Sequence, residues 1–326
     1  MNRNLEEKKY KISVIIVNLN TGNVLKKCVE SVIEYETDKN AIEIIIVDQN
    51  STDNSKDIIK SLSDKYEFVK YIFNDSLKGF SHSNNIGFDI SSGEYIVIMN
   101  PDIIFTQEVF DKLINRFWEN SNIGALCPLL IGEDSEFQGG YYRHYPSLSQ
   151  FILFYMIFSK PSYKSSFLRG KYFEHPGFDI TSGKLEYVEQ IPCAFFFTKR
   201  NIFESCGKMD ENYVLFFEDV DLSFQINKQY KLAIDTSCSV MHLGGVSFNT
   251  VDNWWLHGRF VKSMHYFFKK NKNPISSFLL FLLAVINSCV IVIFEYVKSL
   301  IGKRDINRLK KHKHLLKLFI PFLDKK

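Results

Sequence analysis

The sequence predicts an α/β fold: a doubly wound, mostly parallel sheet with flanking helices, followed by an apolar and basic helical segment that associates with membrane. Three observations carry this. Over about the first hundred residues, short β-branched runs alternate with stretches of helical apolar spacing, in the order β-α-β-α-β-α-β, and such alternation means a parallel sheet. Three of those four strands end in Asn or Asp, at Asn18 and Asn20, at Asp48, and at Asp102. Beyond residue 250 the pattern changes to a long apolar run trailed by lysines.

The first strand is Lys11 to Leu19, a short β-branched run ending at Asn20-Thr21-Gly22-Asn23. Leu25, Cys28, Val29 and Val32 then follow at helical spacing. Ile42 to Val47 is a second buried strand and ends in Asp48-Gln49-Asn50-Ser51-Thr52-Asp53. Ser51 or Thr52 is placed to cap the next helix, whose apolar face is Ile58, Ile59 and Leu62. Phe68 to Phe73 reads as a third strand, and a polar, glycine-containing loop and helix lead to a fourth at Tyr95 to Met99.

That fourth run stops abruptly at Asn100-Pro101-Asp102. Ligands of open α/β sheets sit beyond the carboxyl ends of the strands, so Asp102 stands where a metal or a phosphate is handled. Asn, Pro and Asp are also ordinary turn formers, and alone the tripeptide is accounted for as a turn before the next helix. The recurrence of polar strand ends, distant in sequence but convergent in space, favours the ligand reading. No G-x-G-x-x-G and no G-x-x-x-x-G-K-[ST] occurs, which leaves a dinucleotide fold and a P-loop unsupported.

The middle of the chain is less regular. Phe110 to Phe117 reads as a helix and Ile123 to Ile131 as a strand. Phe151 to Phe158 (FILFYMIF) is too short to span a bilayer; it is core, or else a lip touching membrane or a lipid substrate. Val188 to Thr198 reads as a strand pair or as one strand bent at Pro192. In Phe216 to Ile226 (FFEDVDLSFQI), Glu218, Asp219 and Asp221 crowd together ahead of a helix. The helix dipole accounts for Asp221. Three acids beside two phenylalanines ask for more, because a carboxylate against apolar walls has its pKa raised and is prepared to act as a base. Ala233 to Leu243 is a strand that delivers His242 to another strand end. A lone histidine is more often structural, and His242 gains weight only from that position.

With 326 residues, 45% of them hydrophobic and 15% aromatic, the chain has room for one large domain or two smaller ones with a full core. The stretch Met1 to Lys11 has no apolar signal-peptide core. The six cysteines show no paired spacing and read as reduced residues of a cytosolic chain. The net charge of +3 hides an asymmetry: from Lys298 to Lys326, ten Lys and Arg face only Asp305 and Asp324. A basic tail behind an apolar stretch points to an anionic lipid surface rather than to nucleic acid.

Trp254, Trp255, His257, Arg259, Phe260, Tyr266, Phe267 and Phe268 make an aromatic and basic helix, with Arg259 a candidate diphosphate contact. By length, Ile275 to Ile301 is able to span a bilayer. Yet Ser277, Ala284, Ser288, Glu295, Ser299 and Gly302 form one narrow small-or-polar stripe along it. A single span also places the basic tail on the far side of the membrane from a cytosolic domain, against the positive-inside rule. The expectation is a helix lying in the interface with its Lys/Arg tail on anionic lipid. The competing reading packs that helix on a partner chain.

Taken in order, VIIVNLN, VDQNSTDNS, NDSLKGFSHSNNIGF, GEYIVIMNPD, FFEDVDLSF and HLGGVSF resemble the inverting, GT-A-fold glycosyltransferases of family 2, and among them the bacterial rhamnosyltransferase-like branch. The likeness covers about Lys11 to Phe248. It implies a GT-A domain over 1–250, with a nucleotide-binding half at 1–105 and an acceptor half at 106–250, and a membrane-associating region at 251–326. It implies that Val17, Asn18, Asn20, Asp48, Asn50, Gly79, Asn84 and Asn100 bind the nucleotide sugar. Asn100-Pro101-Asp102 stands for the family's D-x-D, with Asp102 and His242 as contacts to a divalent metal, Mg²⁺ or Mn²⁺. Glu218 and Asp219 stand for the E-D pair, with Asp219 the base.

Two departures matter. Asn100 replaces the first Asp of D-x-D, and Gln49 replaces the more usual Asn after Asp48. No Q-x-x-R-W follows the acidic block, which argues for one sugar added per encounter rather than processive synthesis. The implied function is transfer of a single sugar, L-rhamnose from dTDP-L-rhamnose, to a lipid-linked or oligosaccharide precursor at the cytoplasmic face of the cell membrane. A UDP-sugar donor, hexose or galactofuranose, is the alternative within the same fold. A non-catalytic membrane adaptor is the alternative of another class. An oligomer is compatible with all three.

Overall fold

The computed structural model describes residues 11–36, 41–141, 144–156, 159–172, 179–244 and 252–320. The first ten residues, Ile157 and Phe158, the Gly245-to-Phe248 end of the HLGGVSF block and the tail after Ile320 lie outside them.

The first half of the chain builds what its apolar runs dictate. Strands β1 (Ile12–Asn18), β2 (Ile42–Asp48), β3 (Val69–Phe73) and β4 (Tyr95–Met99) alternate with helices α1 (Gly22–Tyr35), α2 (Ser55–Lys65) and α3 (Phe80–Asp89). All residues of β1, β2 and β4 are buried. A strand covered on both faces needs an unbroken apolar run instead of alternation, and the sequence supplies one in each. β3 lies at the sheet's edge and is only partly covered. The four pair in parallel in the order β3-β2-β1-β4. Helix α3 lies close on this sheet because residue 87 is glycine: a Cβ there meets Ile15 Cγ2 at 2.7 Å.

The chain continues through β5 (Ile103–Ile104), α4 (Phe110–Glu119), β6 (Ile123–Ile131), α5 (Leu148–Tyr155), α6 (Lys160–Lys164), α7 (Ser166–Tyr172), β7 (Leu185–Val188), β8 (Phe195–Lys199), α8 (Arg200–Ser205), α9 (Glu218–Ile226) and β9 (Lys231–His242). Beyond β4 the sheet is mixed, in the order β8-β6-β9-β5 with β7 on β9. Strand β8 runs antiparallel between β4 and β6, while β6 and β9 are parallel. Register sets Asn18 beside Asp48 and Ile16 beside Met99, so the ends of β1, β2 and β4 share one edge. Of the two readings of Val188 to Thr198, the structure has two strands, β7 and β8, joined by a loop, and not one strand bent at Pro192.

The chain divides into two compact units. One holds Met1–Tyr142, Gly177–Glu211 and Leu222–Ser247, and the other holds Arg143–Pro176, Asn212–Asp221 and Phe248–Lys326. The division does not follow the boundary at residue 250, because two inserted segments join the C-terminal helices. The second unit carries 20 Lys and Arg against 8 Asp and Glu. Its positive charge therefore extends well beyond the tail.

Within that second unit α10 (Asn253–Asn271), α11 (Pro274–Ser299) and α12 (Ile306–Phe319) pack on one another. Helix α11 buries Ser277, Ala284, Ser288 and Glu295 together with Leu280, Asn287 and Ile291; these are four of the six stripe residues, while Ser299 is half-buried and Gly302 lies exposed past the helix. Ser288 meets His312 of α12 at 3.1 Å. The fully enclosed Glu295 carboxylate accepts from the Asp305 amide at 2.8 Å and faces Arg308 and Lys298, each at 3.4 Å. Removing a partner from such a buried charge is costly, so this group fixes which side of α11 faces inward. The outward side is apolar, with Phe278 61% and Ile293 63% exposed.

Candidate active site

The ends of β1 and β2 are tied together by one polar network. Asn18 Nδ2 donates to Asp48 Oδ1 at 2.7 Å, and Thr21 Oγ1 donates to Asn18 Oδ1 at 2.7 Å. The Ser51 hydroxyl and amide donate to the two Asp48 oxygens at 2.6 and 2.8 Å. Asn18 and Asp48 are wholly buried. The strand-end acid expected at the nucleotide thus already has both oxygens engaged by the protein, and it holds two loops in register. Ser51, expected as a helix cap, serves this network instead; α2 begins at Ser55, whose amide donates to Asp53 Oδ1 at 3.0 Å.

Asn20 and Asn50 lie exposed just past these strands, with φ of 52° and 61°. Asparagine tolerates that left-handed region better than other residues bearing a Cβ, which is a local reason for its presence at both turns. Asn20 Oδ1 accepts from the Thr52 amide at 2.8 Å and joins the loops again. Val17 is buried behind them in β1.

Gln49, the departure from the usual Asn, is buried and reaches across to the loop before α3. Its Oε1 accepts from the Lys78 and Gly79 amides at 2.9 and 3.2 Å. Gly79 has φ 97°, a conformation in which a side chain is strained, and it stands immediately before α3. On that helix Asn84 is enclosed; its Nδ2 donates to the Phe80 carbonyl at 2.9 Å, and its Oδ1 has no hydrogen-bond partner.

Asp102 and His242 are brought together by β5, the two-residue strand that pairs antiparallel with β9 and sets Ile103 beside His242. Asp102 is 5% and His242 2% exposed. Asp102 Oδ2 accepts from the Gly244 amide at 3.1 Å. Its other oxygen, Oδ1, lies 3.5 Å from His242 Nε2, and neither atom has a hydrogen-bond partner. Burial pushes the Asp102 carboxyl above its ordinary pKa and the His242 ring below, each opposed by the other's charge. Two orphaned, enclosed ligand atoms at this spacing suit a divalent cation. Among the described residues no group of three or more His, Cys, Asp or Glu is arranged to hold a metal. Among the described residues, Asp102 and His242 are the two side chains that would hold such a cation. Asn100 is half-buried and bonds through its backbone, its amide donating to Ala194 O at 3.0 Å.

The acidic block lies in the second unit, where α9 begins. Phe216 and Phe217 both have positive φ, 65° and 72°, which costs on the order of 1–3 kcal/mol each. Their rings are held by Phe260 of α10, at centroid distances of 5.8 and 5.1 Å. Of the three acids, Asp221 is an anchor: it accepts from Lys270 at 2.7 Å, Asn271 at 2.6 Å and Tyr213 at 3.3 Å. Glu218 has Oε2 enclosed with no partner, and burial, then the Asp219 charge, push its pKa up to about 8. It holds a proton at neutral pH. Asp219 accepts from the Val220 amide at 2.8 Å.

Ser51, read from the sequence only as a cap, and Thr21 and Gln138, the partner of His242 Nδ1 at 2.8 Å, are site residues that the sequence reading does not assign to the site. Ser51 is the only one with a local signal, three residues after Asp48 in an Asx-type turn.

Residues 13–185 match the family model described as Glycosyl transferase family 2. The chain is 34% identical over 108 residues to a protein of Streptococcus pneumoniae named Glycosyltransferase GlyG, over 33% of this chain and 35% of that one. It is 29% identical over 115 residues to a Campylobacter jejuni protein named GalNAc(5)-diNAcBac-PP-undecaprenol beta-1,3-glucosyltransferase, over 35% of each. These matches thus span about a third of each relative's length. In fold, the chain is similar to a crystal structure of GalNAc-T7 with UDP, GalNAc and Mn²⁺, at a TM-score of 0.61 and 18% identity, over 95% of this chain and 56% of that one.

Proposed function

Since the chain belongs to glycosyl transferase family 2, we propose that it is an inverting glycosyltransferase that moves one sugar from a nucleoside-diphosphate donor to a hydroxyl of a lipid-linked or oligosaccharide precursor. The observation that carries the reading is the facing pair of unpartnered ligand atoms, Asp102 Oδ1 and His242 Nε2. Asp102 and His242 would hold a divalent cation, which would supply charge neutralisation for the departing diphosphate. Asp219 takes the proton of the acceptor hydroxyl; the freed oxygen attacks the sugar C1 from the face opposite the departing diphosphate, which inverts that centre. Burial and the Asp219 charge raise the pKa of Glu218 beside it, which leaves Asp219 the more acidic of the pair. Asn18, Asn20, Asn50, Val17, Gly79 and Asn84 bind the nucleotide sugar, and Asp48 acts through the Asn18 and Ser51 geometry.

The donor proposed is dTDP-L-rhamnose. A UDP-sugar, hexose or galactofuranose, is the second reading; a glucosyltransferase named among the relatives favours a hexose. A thermal-shift panel with Mn²⁺ and dTDP-rhamnose, UDP-glucose, UDP-galactose or UDP-galactofuranose separates them. The true donor at a hundredfold excess over its Kd adds about 2.7 kcal/mol of stability. A shift with a UDP-sugar alone overturns the rhamnose assignment. No shift with any nucleotide sugar overturns donor binding and moves weight to a membrane adaptor.

We also place the protein at the cytoplasmic face of the cell membrane. Helix α11 is long and apolar enough to cross a bilayer, but its polar side is committed to α10 and α12, while Phe278 and Ile293 project outward. Lys303, Arg304, Lys310, Lys313 and Lys317 are exposed nearby in sequence. Such a helix lies in the interface on anionic lipid. Phe278→Asp/Ile293→Asp is expected to lower flotation with phosphatidylglycerol vesicles at least tenfold, since each large apolar side chain contributes roughly 1.5–3 kcal/mol. Undiminished flotation of this variant sinks the assignment.

A further inference from the structure

Histidine 242 has one proton to place when neutral, and two acceptors compete for it. Asp102 Oδ1 lies 3.5 Å from Nε2, and Gln138 Oε1 lies 2.8 Å from Nδ1. The Gln138 amide is not free to turn. Its Nε2 donates to the backbone carbonyl of His242 itself at 2.9 Å, and a carbonyl accepts only from the NH₂ end. Oε1 is therefore the end that faces the ring, and it requires a proton on Nδ1. The ring in turn is braced by the edge of Tyr141, at a centroid distance of 5.2 Å and an interplanar angle of 64°. Nε2 is left as a bare lone pair opposite a carboxylate.

We propose that Gln138 is a positioning residue: it selects the Nδ1–H tautomer of His242 and so reserves Nε2 for a divalent cation shared with Asp102. Without Gln138 the proton belongs on Nε2, where Asp102 accepts it, and the resulting His–Asp hydrogen bond occupies the place of the cation. The inference rests on the metal reading given above and adds what keeps the site open for metal. Outer partners of this kind typically change metal affinity 10- to 100-fold when removed.

The test uses the full chain with two substitutions. Gln138→Leu removes both hydrogen bonds. Gln138→Glu keeps an acceptor for Nδ1–H while losing the donation to the carbonyl and adding a negative charge. In the metal-free wild type, ¹⁵N-resolved histidine spectra are expected to assign the His242 proton to Nδ1; in Gln138→Leu it moves to Nε2. Mn²⁺ binding, read by electron paramagnetic resonance with UDP and with dTDP, is expected to weaken about 10- to 100-fold in Gln138→Leu and to recover in Gln138→Glu. A wild-type proton on Nε2 with Mn²⁺ binding intact overturns the clamp alone. A wild-type proton on Nδ1 with no Mn²⁺ bound overturns the metal reading and, with it, the purpose of the clamp. Equal Mn²⁺ affinity in wild type and Gln138→Leu overturns the proposal directly.

Discussion

Replacing Asp219 with Asn is expected to lower kcat by about 10²- to 10⁴-fold, the usual contribution of a general base, while leaving donor-induced stabilisation in place. The reasoning starts from the three acids at the head of α9. Asp221 is buried under Lys270, Asn271 and Tyr213, so its oxygens are committed. Glu218 has its pKa raised to about 8 by burial and by the Asp219 charge, so at neutral pH it does not accept a proton. Asp219 is the acid that the family's E-D pattern names as the base. If Asp219→Asn transfers sugar at the wild-type rate with every donor that stabilises the protein, the assignment of the base is wrong.

The same pair makes a pH prediction of definite sign. Burial and the Asp219 charge raise the pKa of folded Glu218 to about 8, whereas in the unfolded chain it loses its proton near its ordinary value of 4.5. Between those values the folded state binds more protons, so this group's contribution makes stability fall as pH rises. Glu218→Gln is expected to flatten the pH dependence of Tm in that window and to cost far less activity than Asp219→Asn. An unchanged slope contradicts the buried, protonated state of Glu218.

The parallel half of the sheet was legible because β1, β2 and β4 are continuous apolar runs and the helices between them repeat at helical spacing. β5 was not, since two residues carry no period; it exists because Ile103 and Ile104 pair with β9. Strand-end acids were legible as a recurrence, but sequence does not tell whether a carboxylate's oxygens are already engaged. Asp48 and Asp102 look alike in their motifs. One is closed by Asn18 and Ser51, and the other keeps an unpartnered oxygen. Nor did any pattern point to Gln138, which lies 104 positions from the histidine it touches. The left-handed Phe216 and Phe217 were invisible for a related reason: phenylalanine disfavours that region, and the rings that hold it there come from α10.

Asp102→Ala is expected to abolish the Mn²⁺-dependent part of the donor thermal shift and to lower kcat/KM by about 10²- to 10³-fold, as loss of charge stabilisation at a leaving group does. Its effect on the free protein should run the other way. Metal-free Asp102 is a buried carboxylate facing an orphaned ring nitrogen at 3.5 Å, with the Gly244 amide and its own backbone to compensate it among the described residues. An uncompensated buried charge is destabilising, so the unliganded variant should melt no lower than the wild type. A structural Asp102 predicts the opposite pair of results, a lower Tm with a metal response still present. Chelation of the wild type should reproduce the loss of activity and be reversed by added Mn²⁺, whereas Asp102→Ala should stay inactive after the same addition. The opposed signs separate a ligand from a structural residue, because a residue kept for function often costs the fold stability.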